Sequence, residues 1–152
     1  MNDAHTAWEA GDVKAAFRLF RESALAGDPH SCLNLGYFYD TGLGITKSRT
    51  EALRWYRRAY RNGDSAGASN IATVYRAQGR LREAFEWFKR AAAMNDGDAE
   101  LEVAKCYLDG LGVRKHRGHA IAAIKRALSS SSITEASREQ ASRIYSQIRR
   151  GK

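Results

Sequence analysis

Apolar residues recur along this chain at the intervals of a helix surface. Ala15, Ala16, Leu19, Phe20 and Ala24 follow that spacing, as do Leu81, Ala84, Phe85, Phe88 and Ala92. No stretch alternates apolar and polar residues as a half-buried strand does. The spacing predicts helices at about 2–10, 12–26, 29–40, 48–62, 65–78, 80–94, 98–109, 117–129 and 134–149. Polar punctuation divides the chain at the same places. Asp28-Pro29 sets a capping acid before a proline at the first helical position, and Ser48-Arg49-Thr50-Glu51 has capping-box spacing, which Ser132-Ile133-Thr134-Glu135 repeats. Gly11, Gly27, Gly63 and Asn95 fall where a helix closes through a left-handed residue.

The helical segments are copies of one another. Cys32 to Tyr39, Gly67 to Tyr75 and Leu101 to Tyr107 can be superposed, and Ala52-x-x-Trp55-Tyr56-x-x-Ala59 matches Ala84-x-x-Trp87-Phe88-x-x-Ala91. Tyr39 to Tyr75 and Ala84 to Ala120 are 36 residues apart; Tyr75 to Tyr107 and Ala52 to Ala84 are 32 apart. The longer spacing comes from inserted turns at Thr41-Gly42-Leu43-Gly44-Ile45 and Asp109-Gly110-Leu111-Gly112-Val113, where Leu43 and Leu111 are expected to tuck back between helices. A period in this range marks a solenoid of helix pairs, in which no single unit can bury its apolar face alone. Small residues at Gly36, Ala72 and Ala104 let two helices approach closely. Trp55, Tyr56, Trp87 and Phe88 then fill the groove between successive pairs, and Leu35→Ala or Trp87→Ala should each cost about 2–5 kcal/mol.

These residues resemble the Sel1-like repeat, a relative of the tetratricopeptide repeat. Gly27 to Gly63 carries Asn34-Leu35-Gly36, Gly42-Leu43-Gly44 and Trp55-Tyr56 in the family's order. Asn95 to Leu128 is a looser copy, and Gly63 to Asn95 lacks the Gly-x-Gly turn, which brings it nearer to a tetratricopeptide repeat. The resemblance implies an all-α fold, a right-handed α-α superhelical solenoid of four helix pairs (2–26, 29–62, 65–94 and 98–129) closed by a helix at 134–149, in one domain spanning 1–152. It also implies a non-catalytic scaffold that holds a partner peptide or domain in a concave groove lined by the first helix of each pair. Carried across by position, the groove residues are His30, Leu33, Tyr37 and Asp40, then Ala66, Ser69, Thr73 and Arg76, then Asp98, Leu101, Lys105 and Leu108. His5, Trp8 and Arg143 come from the flanking helices. Tyr37 and Trp8 are the strongest anchor candidates because aromatics and arginines dominate interface hot spots, although Trp8 equally suits a cap on the first pair. Bacterial chains of this kind accompany secretion or signalling systems, and a regulator or an immunity-type protein that neutralises a toxin falls within that range.

Composition adds three constraints. With 43% hydrophobic residues and one proline, the 152 residues form one compositional regime, and no run approaches the roughly 18 apolar residues of a membrane span. Met1-Asn2-Asp3-Ala4-His5 lacks the basic-then-apolar order of a signal peptide, so a cytoplasmic protein without a membrane partner is expected, as a monomer or weak dimer. Cys32 and Cys106, each within an apolar helical stripe, read as buried reduced thiols. The net charge of +8 resides in the last quarter: Arg114 to Lys152 holds ten basic residues against Glu135 and Glu139, and the rest of the chain is balanced. Such a patch suits an acidic partner or a solubilising end cap.

Chemistry is sparse. His5, His30, His116 and His119 are scattered, and His116 and His119, three apart, have no carboxylate or thiol beside them to complete a zinc site. No histidine is placed to activate Cys106. Secreted Sel1-like proteins associated with penicillin binding or hydrolysis carry paired cysteines in each repeat, a pattern this chain lacks. A hydrolase acting on a penicillin-like substrate is therefore disfavoured, and no cofactor is expected. Nucleic acid is the alternative partner, through Arg114-Lys115-His116-Arg117, Lys125-Arg126 and Arg149-Arg150-Gly151-Lys152; it is disfavoured because only Tyr145 follows Tyr107 as a stacking ring.

Overall fold

A computed structural model describes residues 3–151 of the protein. Residue 2 of the first expected helix and Lys152 of the basic tail lie outside the described residues. Among those described, nine helices and no strand occur: α1 (Ala4–Glu9), α2 (Val13–Leu25), α3 (Pro29–Thr41), α4 (Arg49–Arg61), α5 (Ser65–Ala77), α6 (Leu81–Ala92), α7 (Gly97–Asp109), α8 (Arg117–Ser129) and α9 (Glu135–Arg150). Each expected helix is present, with ends displaced by at most two residues. The chain divides into two compact units, Met1–Asn70 and Ile71–Lys152.

Helix starts are set by local side chains that satisfy amide groups the helix itself cannot. Asp28 accepts the Ser31 amide at 2.8 Å with Pro29 at the first position, and Ser48 accepts the Glu51 amide at 3.2 Å. The last start departs from expectation. Thr134, not Ser132, caps α9 by accepting the Ser137 amide at 3.3 Å, while the Ser132 hydroxyl donates to the Asn95 carbonyl. Asn95 is the one non-glycine residue of positive φ among those described, at 62°. Gly11, Gly27 and Gly63 also take positive φ, as their place after a helix requires.

In the first unit α1 packs on α2, α2 on α3 and α3 on α4. Ala16, Phe20 and Phe38 form one buried cluster with Ala7; Cys32, Leu35, Trp55 and Ala59 form another with Ala24. A close approach between α3 and α4 is at Gly36, where a Cβ would stand 2.5 Å from Tyr56 Cδ1 and Cε1. In the second unit α6 packs on α7, α7 on α8 and α8 on α9, burying Phe85, Phe88, Leu101, Val103 and Ile124. α9 buries only Ala141. Its Arg138 donates to the Leu128 carbonyl at 2.8 Å and the Ser130 carbonyl at 3.2 Å, capping the end of α8.

Two packing expectations are corrected. Trp87 is only half-buried, with the Arg90 guanidinium 4.3 Å over its ring, so the apolar filling falls to its neighbour Phe88. Leu43 and Leu111 are 40% and 37% exposed rather than tucked in. The second glycine of each turn makes the close approach instead. A Cβ on Gly44 would lie 2.7 Å from Val13 Cγ1, and one on Gly112 would overlap the Leu81 carbonyl. Leu35→Ala is expected to lower unfolding free energy by about 2–5 kcal/mol in urea titrations. Gly36→Ala should also lower it, and Trp87→Ala should cost less than Leu35→Ala. Equal losses for Leu35→Ala and Trp87→Ala would contradict the burial pattern.

Candidate functional site

The first helices of the pairs present two separate features, one in each unit. In the first unit Trp8 of α1 and Tyr37 of α3 are 38% and 46% exposed. Their rings meet at 6.1 Å and 66°, and Trp8 also packs edge-on to buried Phe38 at 5.2 Å. With His5, Phe20 and Asn34 these rings line a pocket of about 210 Å³. One turn beyond Tyr37, Asp40 is half-buried and accepts a hydrogen bond from the Tyr56 hydroxyl. Burial first, then the Asp40 charge and this hydrogen bond, push the Tyr56 phenol well above its usual range, so it remains a donor.

In the second unit an ion bridge lies at the mouth of a cleft. Glu102 of α7 accepts from Arg76 at 2.7 Å and from Lys105 at 2.7 Å. Leu81, Ala84, Phe88, Cys106, Asp109 and Leu111 complete a cavity of about 250 Å³. Burial disfavours the Glu102 carboxylate, but the hydrogen bonds and charges of Lys105 and Arg76 outweigh it and hold its pKa below 4.5. Burial pushes the Cys106 thiol up to about 11, with Glu102 adding to the shift, so sulfur here is a wall of the cleft and no nucleophile.

The remaining proposed groove residues fare differently. His30 and Arg143 are exposed; Ser69 is half-buried and Thr73 exposed, each making an interaction of its own. Ala66 and Leu108 are half-buried, and Leu33 packs against the Cys32–Leu35–Trp55 cluster. Leu101 is corrected outright: at 1% exposure it is core, because its position on α7 turns inward. Asp98 is occupied in structure, accepting the Thr134 amide at 2.9 Å and hydroxyl at 3.1 Å. Glu102, which joins the two cations, was missed; its spacing of three from Lys105 was the available signal.

The basic last quarter is partly consumed by the fold. Arg126 pairs with Glu100 at 2.8 Å, Arg117 donates to the Ile148 carbonyl at 2.6 Å, and Arg138 caps α8. His116 caps α8 by accepting the His119 amide at 3.0 Å, and the two imidazoles stack at 3.7 Å. Both cysteines are free and buried.

Comparison with known proteins agrees with this architecture. The Sel1 repeat family profile matches residues 9–28, 29–64 and 97–122, and a tetratricopeptide repeat profile matches 66–95. An uncharacterized protein of Neisseria meningitidis serogroup B is 33% identical over 113 residues, 73% of this chain but 23% of its own length. Among solved structures, c5321, a protective antigen of uropathogenic Escherichia coli with an SLR fold, superposes with a TM-score of 0.70 at 28% identity, covering 87% of this chain and 29% of that one. A Sel1 repeat protein from Oxalobacter formigenes gives a TM-score of 0.78 at 23% identity over 95% of this chain and 60% of its own, a likeness of fold. The chain thus spans less than two thirds of each of these relatives.

Two measurements check the electrostatics. Neither thiol should react with Ellman's reagent in the folded protein at mildly alkaline pH, and both should react once denatured; a rapid reaction in the folded state would show that the sulfurs are accessible. Because the Glu102 pKa is lowered on folding, its stabilising contribution is complete above about 4.5 and is lost as pH falls through the lowered value. Glu102→Gln should therefore flatten the acid limb of the stability curve, and an unchanged limb would remove Glu102 from it.

Proposed function

We propose that this chain, which belongs to the Sel1 repeat family, is a non-catalytic adaptor of the cytosol that holds a partner peptide or domain against the first helices of its pairs. Repeats of this kind generally serve protein–protein interaction. The observation that carries the proposal is the second-unit cleft: an apolar floor of Leu81, Ala84 and Phe88 beside the Arg76–Glu102–Lys105 bridge. Apolar lining with a few placed charges is the composition of a recognition pocket. No step of bond making follows from these groups, since the sulfur is protonated and the carboxylate is held by two cations.

The protein acts in this reading as a monomer or weak dimer, in a regulatory or immunity-type role. An acidic partner suits the second helices and the last quarter, where Arg49, Arg54, Arg57, Arg58 and Arg61 of α4 stand against Glu51 alone. Nucleic acid fits less well, because Arg117, Arg126 and Arg138 are engaged within the fold.

The test is a paired recovery experiment. The variant Arg76→Glu/Lys105→Glu, shown to be helical by circular dichroism, should recover the partner from lysate at least about tenfold less well than wild type. Undiminished recovery would move the binding surface elsewhere.

A further inference from the structure

Aromatic rings in this protein are repeatedly covered by its own cations. Arg90 lies over Trp87 at 4.3 Å, Arg80 over Tyr75 at 4.5 Å, Arg58 over Trp55 at 5.5 Å and Arg149 over Tyr145 at 5.9 Å. Two of the three tryptophans are accounted for in this way. The third, Trp8, has no lysine or arginine over it among the described residues, and neither does Tyr37, although both rings are exposed. The sequence explains why. Residues 3–13 and 22–46, which hold α1 and α3, contain no lysine or arginine, while carrying Asp3, Glu9, Asp12, Glu22, Asp28 and Asp40. The cations of this unit lie on α2 and α4 and at Lys47 beside them.

The pocket has the shape this charge pattern asks for. Trp8 and Tyr37 stand at 66° as adjoining walls rather than covering one another, leaving part of each ring open. Buried Phe20 and Phe38 supply apolar lining, His5 adds an imidazole, and Asn34, whose amide nitrogen donates to the His30 carbonyl at 3.2 Å, completes the lining. A volume of about 210 Å³ admits one long side chain but not a helix. A flat, weakly hydrated cation stacks on such rings better than a compact ammonium does. The geometry points to an arginine side chain of a partner polypeptide as the occupant of the Trp8–Tyr37 pocket, its guanidinium against the two rings, on helices that carry carboxylates and neither lysine nor arginine. This assignment rests on the adaptor reading and adds to it the chemistry of the anchor.

The probe is a random dodecapeptide library displayed on phage and selected against the full chain, followed by fluorescence polarisation with the synthetic winners. Selected peptides should share an arginine whose replacement by norleucine weakens binding about tenfold, with lysine intermediate. Trp8→Ala should cause a similar loss. Tyr37→Leu, which leaves α3 its buried face, should also weaken binding and guards against an unfolded Trp8 variant, while Trp8→Phe should retain part of the affinity. Winners with acidic or purely apolar anchors, or winners indifferent to both Trp8→Ala and Tyr37→Leu, would overturn the assignment; if those winners respond to Arg76→Glu/Lys105→Glu, the adaptor reading survives. A library that yields no binder overturns both.

Discussion

The structure depends on how closely the first helix of a pair can approach the second. At Gly36 the α3 backbone lies against the ring of Tyr56, with no room for even a methyl group. Ala72 and Ala104 hold the equivalent positions in α5 and α7 and are fully buried. Because Tyr56 is drawn in so far, its hydroxyl can end only on a polar partner from the same pair, and Asp40 provides it. A core contact thereby fixes a carboxylate one turn from the exposed ring of Tyr37. Surface chemistry in the first unit is set from the inside.

Charge follows the same alternation as packing. The first helices are poor in cations: α1 and α3 have none, and α7 carries Asp98, Glu100, Glu102 and Asp109 against Lys105. The second helices hold most of the arginines outside the closing helix, and α4 is the extreme case. Part of that positive charge is spent over neighbouring rings, as with Arg58 and Arg90, or on a carbonyl group, as with Arg117, where it extends the apolar packing of aromatics and closes a helix end. A net charge read along the chain therefore says little about either face, since excess at the C-terminal end and segregation between helices are different quantities.

Helix number, order and nearly every start were legible in the sequence because each depends on neighbours in the chain: a capping acid, a proline, a residue of positive φ, a period of apolar positions. Leu35, Cys32 and Phe88 were legible as core for the same reason. What was not legible depends on contacts from other helices. Trp87 matches Trp55 in the repeat yet stands half out of the core, and Leu101 takes a nominal groove position yet is buried. Ser132 has the spacing of a cap but is claimed by Asn95, 37 residues away. At the candidate site, Arg76 and Lys105 could be picked from repeat positions, but their joint dependence on Glu102 requires the α5-to-α7 register, which one sequence does not display.

The turn at Asn95 has a mechanical side. Its carbonyl accepts from both Ser130, at 3.1 Å, and Ser132, so the link between α6 and α7 is stitched to the link between α8 and α9. Asp98 then holds the start of α9 from the first turn of α7. The closing helix buries too little to stay docked by apolar contact alone, and these polar stitches bind it to the helices before it. Fraying of α9 would release the serines and the Asn95 carbonyl together, so the last helices should open and close as one cooperative block, with amide protons sharing one opening free energy in hydrogen exchange.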